Sequence, residues 1–405
     1  MKIGRFVEHN NLTIDTVRHY MDMSLIIPEK KGGQYDFDDN CQKDLENILA
    51  YKAMGFSLSE IKTIFMFKRL GKFTEYQENE YFKELFINKH NQLEQQLIEI
   101  GEMKERLESK LKELSEKKMN NESVIGVDIR ALDILKCLKC GNDLELFEGK
   151  VSKNQIINGK LKCCCGEEYL IEDGILTITC INEKHTSDFD SNYINDYIKV
   201  TDSEYLDNVY RGIEWINKKV DFENLKNKVI LELGSGIGFF LRNIYECLPD
   251  DSIYIAVDND INRHKFLKNI LAATNCRKNI LFICSDFQKL PIKEKSIEVL
   301  IDISGTSNYS FDNEEFLLKL IDKYVKDEAS IIGTYILFEK FALNSLIESK
   351  YRKNFMMDNV KDQILTLKYN IIDESISRHV ESGGIYEDYF VDGEKVYSYI
   401  FIGQR

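Results

Sequence analysis

From Phe86 to about Lys118 the apolar residues Phe86, Leu93, Leu97, Ile100, Leu107, Leu111 and Leu114 recur on alternating steps of three and four, broken only at His90 and Lys104. That heptad spacing predicts one long helix with a narrow apolar stripe and Glu, Lys, Gln and Arg on its other faces. Water cannot cover such a stripe favourably, so it needs a partner helix. A second copy of the chain is the favoured partner; a linker helix packed on its own chain is the alternative. Upstream the periods are shorter. Ile3–His9 reads as a helix, Asn10-Asn11 as a turn, and Thr13 as the N-cap of a second helix to about Met21. After Pro28, Glu29 to Tyr35 has two glycines flanked by basic residues and suits a wing hairpin. Asp38–Lys52 and Ser57–Arg69 are two further helices around Gly55-Phe56. Downstream the pattern changes to strands. Leu144 to about Leu161 alternates as a hairpin, and the segment from Tyr169 reads as strand, turn and strand. Lys228–Leu233, Ser252–Val257 and Asn279–Cys284 are apolar runs of the buried parallel kind. The aromatic stretch Phe189–Tyr210, with Tyr193, Tyr197, Tyr205 and Tyr210, reads as helices over a ligand mouth, its tyrosines packing rather than binding.

The chain has 405 residues, room for two or three domains. No apolar run approaches the roughly 20 residues that span a bilayer, and the first ten residues lack a secretory layout. A cytoplasmic protein with no membrane contact is the expectation. The net charge of −14 is unevenly spread: residues 1–70 are neutral, while 71–190 and 191–405 each carry −7. An acidic C-terminal half is a poor general nucleic-acid binder, so DNA contact is expected only from a local basic face of the N-terminus.

Five of the ten cysteines cluster as Cys137, Cys140, Cys163, Cys164 and Cys165. A CxxC pair followed 22 residues later by a second group suits tetrahedral zinc in a ribbon rather than disulfides. Cys137, Cys140, Cys163 and Cys165 are the expected ligands of a structural Zn2+, with Cys164 as the alternate. Cys41, Cys180, Cys247, Cys276 and Cys284 read as ordinary thiols.

The run Val229–Leu233 ends in Gly234, Gly236 and Gly238. Alternate glycines let the backbone turn sharply into a helix while a ligand approaches closely. Glu232 sits at the strand end. Asp258 ends the second strand, where an acid can bind ribose hydroxyls. Asp286 and Phe287 follow the third, where a carboxylate can accept from an adenine amino group. Asp302, Asn308, Tyr309 and His379 are weak candidates for a catalytic base, each more readily explained by structure.

The segment IGRFVEHNNLTIDTVRHYMDMSLIIP followed by MGFSLSEIKTIF resembles the MerR family of dimeric transcription regulators over about 70 residues. On the helix from Thr13, Thr16, Arg18, His19 and Tyr20 are the candidates for phosphate or base contact. The resemblance implies that Arg18, His19 and Tyr20 meet the DNA backbone and that Tyr35 sits in the wing, where Asp36 replaces a frequent Arg; Lys30 and Lys31, the basic residues beside the glycine turn, are further candidates for DNA contact. It also implies an antiparallel dimer helix, twisted promoter DNA, and RNA polymerase among the partners. The cysteine segment resembles zinc ribbons that precede some bacterial methyltransferase domains. From about Asn224 to Arg405 the chain resembles class I S-adenosylmethionine-dependent methyltransferases. That likeness implies Glu232, Gly234, Gly236, Gly238, Asp258, Asp286 and Phe287 as cofactor residues. Glu298 stands where Asp is usual, and Lys326-Asp327-Glu328 replaces a glycine turn.

The expected architecture is multidomain: an all-α winged helix-turn-helix (1–75), a coiled-coil dimer helix (76–120), a small β zinc ribbon (130–180) and a Rossmann-like seven-stranded α/β class I methyltransferase domain (187–405). The expected function is a homodimer, joined through 86–118, that binds double-stranded promoter DNA. Its C-terminal half would bind S-adenosylmethionine and act as sensor, enzyme or both on a small-molecule inducer or acceptor. The alternative is an rRNA or small-molecule methyltransferase with an auxiliary N-terminus; the acidic C-terminal half weighs against RNA.

Overall fold

The structure, a computed structural model, describes residues 1–71, 75–116, 124–178, 192–274, 276–303 and 305–405. It divides into two compact units, Met1–Lys118 and Met119–Arg405.

In the first unit α1 (Ile3–His9) and α2 (Ile14–Asp22) form the expected helix-turn-helix, with Thr13 Oγ1 accepting from the Thr16 amide at 3.1 Å. Strands β1 (Glu29–Lys31) and β2 (Gln34–Asp36) pair around Gly32-Gly33. Both glycines have positive φ, 58° and 84°, as a two-residue hairpin turn requires. Helix α3 (Asp39–Ala53) is capped by Asp38, and α4 (Leu58–Met66) by a reciprocal Ser57–Glu60 box. Phe6, Val17, Tyr20, Leu25, Phe37, Leu45, Ile61 and Ile64 fill the core, and Phe6 stacks on Phe37 at 4.5 Å.

The long helix α5 runs Glu75–Glu116, so its first turns precede the heptad seam that begins at Phe86. The reason is packing: Phe82, Leu85 and Phe86 lie against the head core, with Phe86 edge-on to Phe56 at 5.4 Å. Phe86 therefore serves the head rather than the outer seam. Lys89, itself buried, pairs with Glu60 at 2.8 Å and locks α5 to α4. Beyond it the seam turns to solvent, with Leu97 69% and Leu107 67% exposed. The expected end of the helix at Lys117-Lys118 lies outside the described residues, as does Cys180 and the part of the aromatic stretch from Phe189 to Ser191.

The second unit opens with β3 (Val127–Asp128), then a hairpin of β4 (Leu144–Ser152) and β5 (Gln155–Cys163), then β6 (Glu168–Glu172) and β7 (Ile175–Thr177). Helices α6 (Tyr193–Val200) and α7 (Ser203–Lys219) lead into an alternation of strand and helix. This comprises β8 (Val229–Leu233), α8 (Phe239–Ile244), β9 (Ile253–Asp258), α9 (Ile261–Ala272), β10 (Ile280–Cys284) and β11 (Ile297–Ile303). Then come α10 (Gly305–Ser310), α11 (Leu317–Ile321), β12 (Val325–Phe338), α12 (Met357–Thr366), β13 (Asn370–Ile376) and β14 (Val396–Gln404).

Seven of these strands lie in the order β10-β9-β8-β11-β12-β14-β13. The first five are mutually parallel, and β14 runs antiparallel to both its neighbours. A parallel sheet reversing about its first strand, closed by one antiparallel strand, is the class I methyltransferase arrangement expected from the sequence. Lys326-Asp327-Glu328 lies inside the continuous strand β12 rather than in a turn before it.

The ribbon differs from the expectation of a separate module. Strand β7 pairs in parallel with β10, Phe282 opposite Ile175 and Cys284 opposite Thr177, so β7, β6, β5 and β3 continue the same sheet. Val127, Leu135, Cys137, Ile156 and Leu161 share one buried cluster with Leu231, Ile255 and Leu281. The hairpin turns follow the sequence: Lys153-Asn154 and Asp173-Gly174 all have positive φ.

Candidate functional site

The glycine loop leaves the buried end of β8. Gly234, Gly236 and Gly238 have φ of 68°, 53° and 78°. At Gly238 a Cβ would lie 2.3 Å from a Leu267 methyl, and at Gly234 it would lie 3.1 Å from the Gly305 Cα, so backbone replaces side chain at both. Asp258, buried at the end of β9, holds this loop: its Oδ2 accepts from the Gly236 amide at 2.8 Å and its Oδ1 from the Asp260 amide at 2.9 Å. The Arg263 guanidinium stands 3.9 Å from the same carboxylate. Phe287 is half-buried, its ring tip 3.8 Å from the Cβ position of Gly234. Asp286 is exposed and caps the turn that carries Phe287, accepting from the Gln288 amide at 3.0 Å.

Glu232 is fully enclosed beneath the loop. Burial pushes its carboxyl up to about 8, against the pull of the facing Tyr254 phenol, and nearby Asp258 adds to the rise. His264, which sequence reasoning missed, is also enclosed. Its Nε2 lies 3.1 Å from the Asp258 amide nitrogen and 3.0 Å from the Ile283 carbonyl, tying the ends of β9 and β10, and burial lowers its pKa.

The weak catalytic candidates separate. Asp302 is buried and accepts from the Thr306 amide at 2.9 Å and its hydroxyl at 2.5 Å; burial raises it to about 6. It anchors α10 and is not presented to a ligand. Tyr309 is half-buried and its hydroxyl accepts from Gln288 Nε2 at 3.1 Å, beside the Phe287 turn. Asn308 is exposed on α10. His379 is exposed beyond β13, edge-on to Tyr397 at 4.8 Å.

A second polar group stands near the glycine loop, and no local motif announced it. Glu387, between β13 and β14, accepts from the Tyr197 hydroxyl at 2.7 Å and the Tyr205 hydroxyl at 3.1 Å; Tyr389 and Tyr205 hydroxyls lie 2.9 Å apart. The Tyr197 ring is 5.2 Å from Phe239, the residue after Gly238. Two of the aromatic-stretch tyrosines thus hold a carboxylate rather than merely pack.

In the ribbon the sulfurs of Cys137, Cys140, Cys163 and Cys165 all lie within 4.8 Å of one another, with Cys137–Cys165 at 3.6 Å and Cys140–Cys163 at 3.3 Å. Tetrahedral zinc with bonds near 2.3 Å sets its sulfurs roughly 3.8 Å apart, so the donor set fits that ion. The Tyr169 hydroxyl donates to Cys137 Sγ at 3.5 Å and accepts from the Leu138 amide at 2.8 Å, orienting the first ligand. Cys164 stands outside the four, exposed, its sulfur accepting from Asn142 Nδ2 at 3.2 Å.

On the head, Thr16, Arg18 and His19 share the outer part of α2, and Arg18 is exposed beside Asp15. Tyr20 departs from expectation: it is only 2% exposed and sits in the core. One turn after Val17, it falls on the inner face of the helix. In the hairpin Lys30 lies over the Tyr35 ring at 5.9 Å, while Lys31 is paired with Glu29 at 2.7 Å and Asp36 at 3.6 Å. Those acids reduce the positive charge the wing offers.

Residues 1–67 match the family model described as MerR HTH family regulatory protein, and form a domain of that kind. The second unit is a class I methyltransferase fold by its strand order. No curated protein matches the chain. Among solved structures it is similar to the MccD protein (12% identity, 48% of this chain and 96% of that one, TM-score 0.35). It is also similar to a SAM-dependent methyltransferase from Methanosarcina mazei (11%, 45% and 96%, TM-score 0.33). A third is a SAM dependent methyltransferase from Aquifex aeolicus (15%, 53% and 98%, TM-score 0.32). Among the described residues no helix is long and apolar enough to cross a membrane.

Proposed function

We propose that this chain is a homodimeric, promoter-binding regulator whose second unit binds S-adenosylmethionine and acts as sensor, enzyme or both on a small molecule. The observation that carries the reading is the left-handed glycine loop gripped by Asp258, in a chain whose first domain is MerR-type. The loop's free backbone, Asp258, Asp286 and Phe287 would hold the cofactor; when bound, it supplies an activated methyl group. The residues here need only orient a second ligand beside it. Zn2+ would be held by Cys137, Cys140, Cys163 and Cys165 as a closed structural ion. The exposed heptad seam beyond Leu93 supports pairing of two α5 helices, which would set two heads at fixed spacing for paired half-sites. RNA polymerase is the partner such a promoter complex would meet. A ligand in the second unit changes DNA binding only by favouring one of two dimer states.

The DNA half of the reading is tested with duplex from upstream of the protein's own coding region, by fluorescence anisotropy. Arg18→Ala should weaken binding and lower the salt dependence by roughly one counterion, while helicity and oligomeric state stay unchanged. Wild-type affinity in the variant would remove α2 from the interface.

A further inference from the structure

The Glu387 cluster is built from three separated parts of the second unit. The loop carrying Glu387 is pinned to the α6–α7 junction: Gly384 bridges Thr201, and the Asp202 amide donates to the Gly383 carbonyl at 3.1 Å. Gly384 is at φ 93°, and a Cβ there would meet the Val200 carbonyl at 2.5 Å, so the approach is close by construction. On one side Tyr197 reaches Phe239 at the glycine loop. On the other, the Tyr389 ring lies 5.2 Å from Phe311, just after α10. The cluster therefore reaches from the glycine loop to the end of α10.

Its charge is unusual. Both Glu387 oxygens accept from phenols, and the neighbouring charge that acts on it is another acid, Asp388. Among the described residues no Lys, Arg or His forms an ion pair with Glu387; Arg263, the cation near Tyr193, faces Asp258 and Asp260. A carboxylate taken partly out of water is ordinarily matched by a cation, because two neutral donors do not recover all of the lost hydration. Around this one stand aromatic faces: Tyr386, 42% exposed, lies 5.5 Å from Tyr193 and 5.6 Å from Tyr197. A carboxylate rimmed by electron-rich rings selects positive charge twice over, by ion pairing and by cation–π attraction.

We propose that Glu387 is the recognition carboxylate for the second ligand of this site, a small organic amine bound as its cation beside Tyr193, Tyr197 and Tyr386. The inference rests on the reading that the glycine loop holds S-adenosylmethionine, and it names the class of acceptor or inducer that reading left open. A neutral alcohol of the same shape would meet the same rings but leave the carboxylate unmatched.

The test uses the full-length protein saturated with S-adenosylhomocysteine and two probes, benzylamine and benzyl alcohol, titrated by calorimetry at neutral pH. Benzylamine should bind roughly tenfold or more tighter than the alcohol, as one desolvated cation contact allows. Glu387→Gln, which keeps size and hydrogen-bonding shape, should bring the ratio near one while S-adenosylmethionine still binds. Tyr197→Phe, which keeps charge and ring, should retain the preference. Equal binding of the two probes, binding of neither, or a preference that survives Glu387→Gln would overturn the proposal. So would loss of S-adenosylmethionine binding in that variant, because Glu387 would then serve the cofactor. Failure of the wild type to bind S-adenosylmethionine at all would instead overturn the underlying reading.

Discussion

Glu232 shows how far a single residue can be read. Its place before the glycine loop is visible in the sequence, but its protonation depends on how completely the fold encloses it. The sign of its effect follows from its pKa, raised from 4.5 to about 8. Between those values the folded protein holds a proton that the unfolded chain releases. The group's stabilising contribution is thus complete below about pH 4.5 and is lost as pH rises to about 8. Glu232→Gln, neutral throughout, should flatten the decline in melting temperature from pH 5 to 8; parallel curves for the two proteins would show that Glu232 is ionised when folded. The three loop glycines and Asp258 were legible for the same reason as Glu232: each belongs to one short motif. Glu387 was not, because its partners Tyr197 and Tyr205 come from a segment far away in the chain, and His264 was not, because its enclosure between the ends of β9 and β10 appears only once those strands pair. The burial of Tyr20 was not legible because three adjacent residues were read together, whereas neighbours on a helix point about 100° apart.

Among the elements, α5 was the most legible, since its period persists over many turns. What periodicity could not show was that its first turns belong to the head, where Phe82 and Phe86 pack and Lys89 pairs with Glu60. The exposed remainder predicts that Leu97→Glu combined with Leu107→Glu gives monomers in sedimentation velocity, with the head still folded. A dimer of unchanged strength would place the interface elsewhere. The ribbon makes a different prediction. Its strand β7 lies along β10, which ends just before Asp286, and Leu135 bridges Ile292 just after the Phe287 turn. Lys268 of α9 is tied to Asp173 of the ribbon at 2.6 Å. Stripping the metal with a chelator should therefore weaken S-adenosylmethionine binding, by roughly 5- to 150-fold if the coupling is of ordinary size. Equal affinity with and without metal would make the ribbon an independent module.

At the scale of the whole molecule, the order of parts was readable because each has its own period: short capped helices, a heptad, alternating strands, then buried strands separated by helices. The merger of ribbon and methyltransferase sheet was not. A parallel pairing of Ile175 with Phe282 joins strands far apart in the chain, and an apolar edge strand carries no mark of its neighbour. The charge pattern gives a neutral head with Arg18 exposed and an acidic remainder, which disfavours general nucleic-acid contact there.

Everything proposed for the second unit depends on the glycine loop. Isothermal titration of S-adenosylmethionine into the full-length protein, beside Asp258→Ala, tests it most directly. The account predicts saturable binding at one site per chain that is lost in the variant, since Asp258 holds the loop through the Gly236 amide. No binding to the wild type, or equal binding to both proteins, would contradict it.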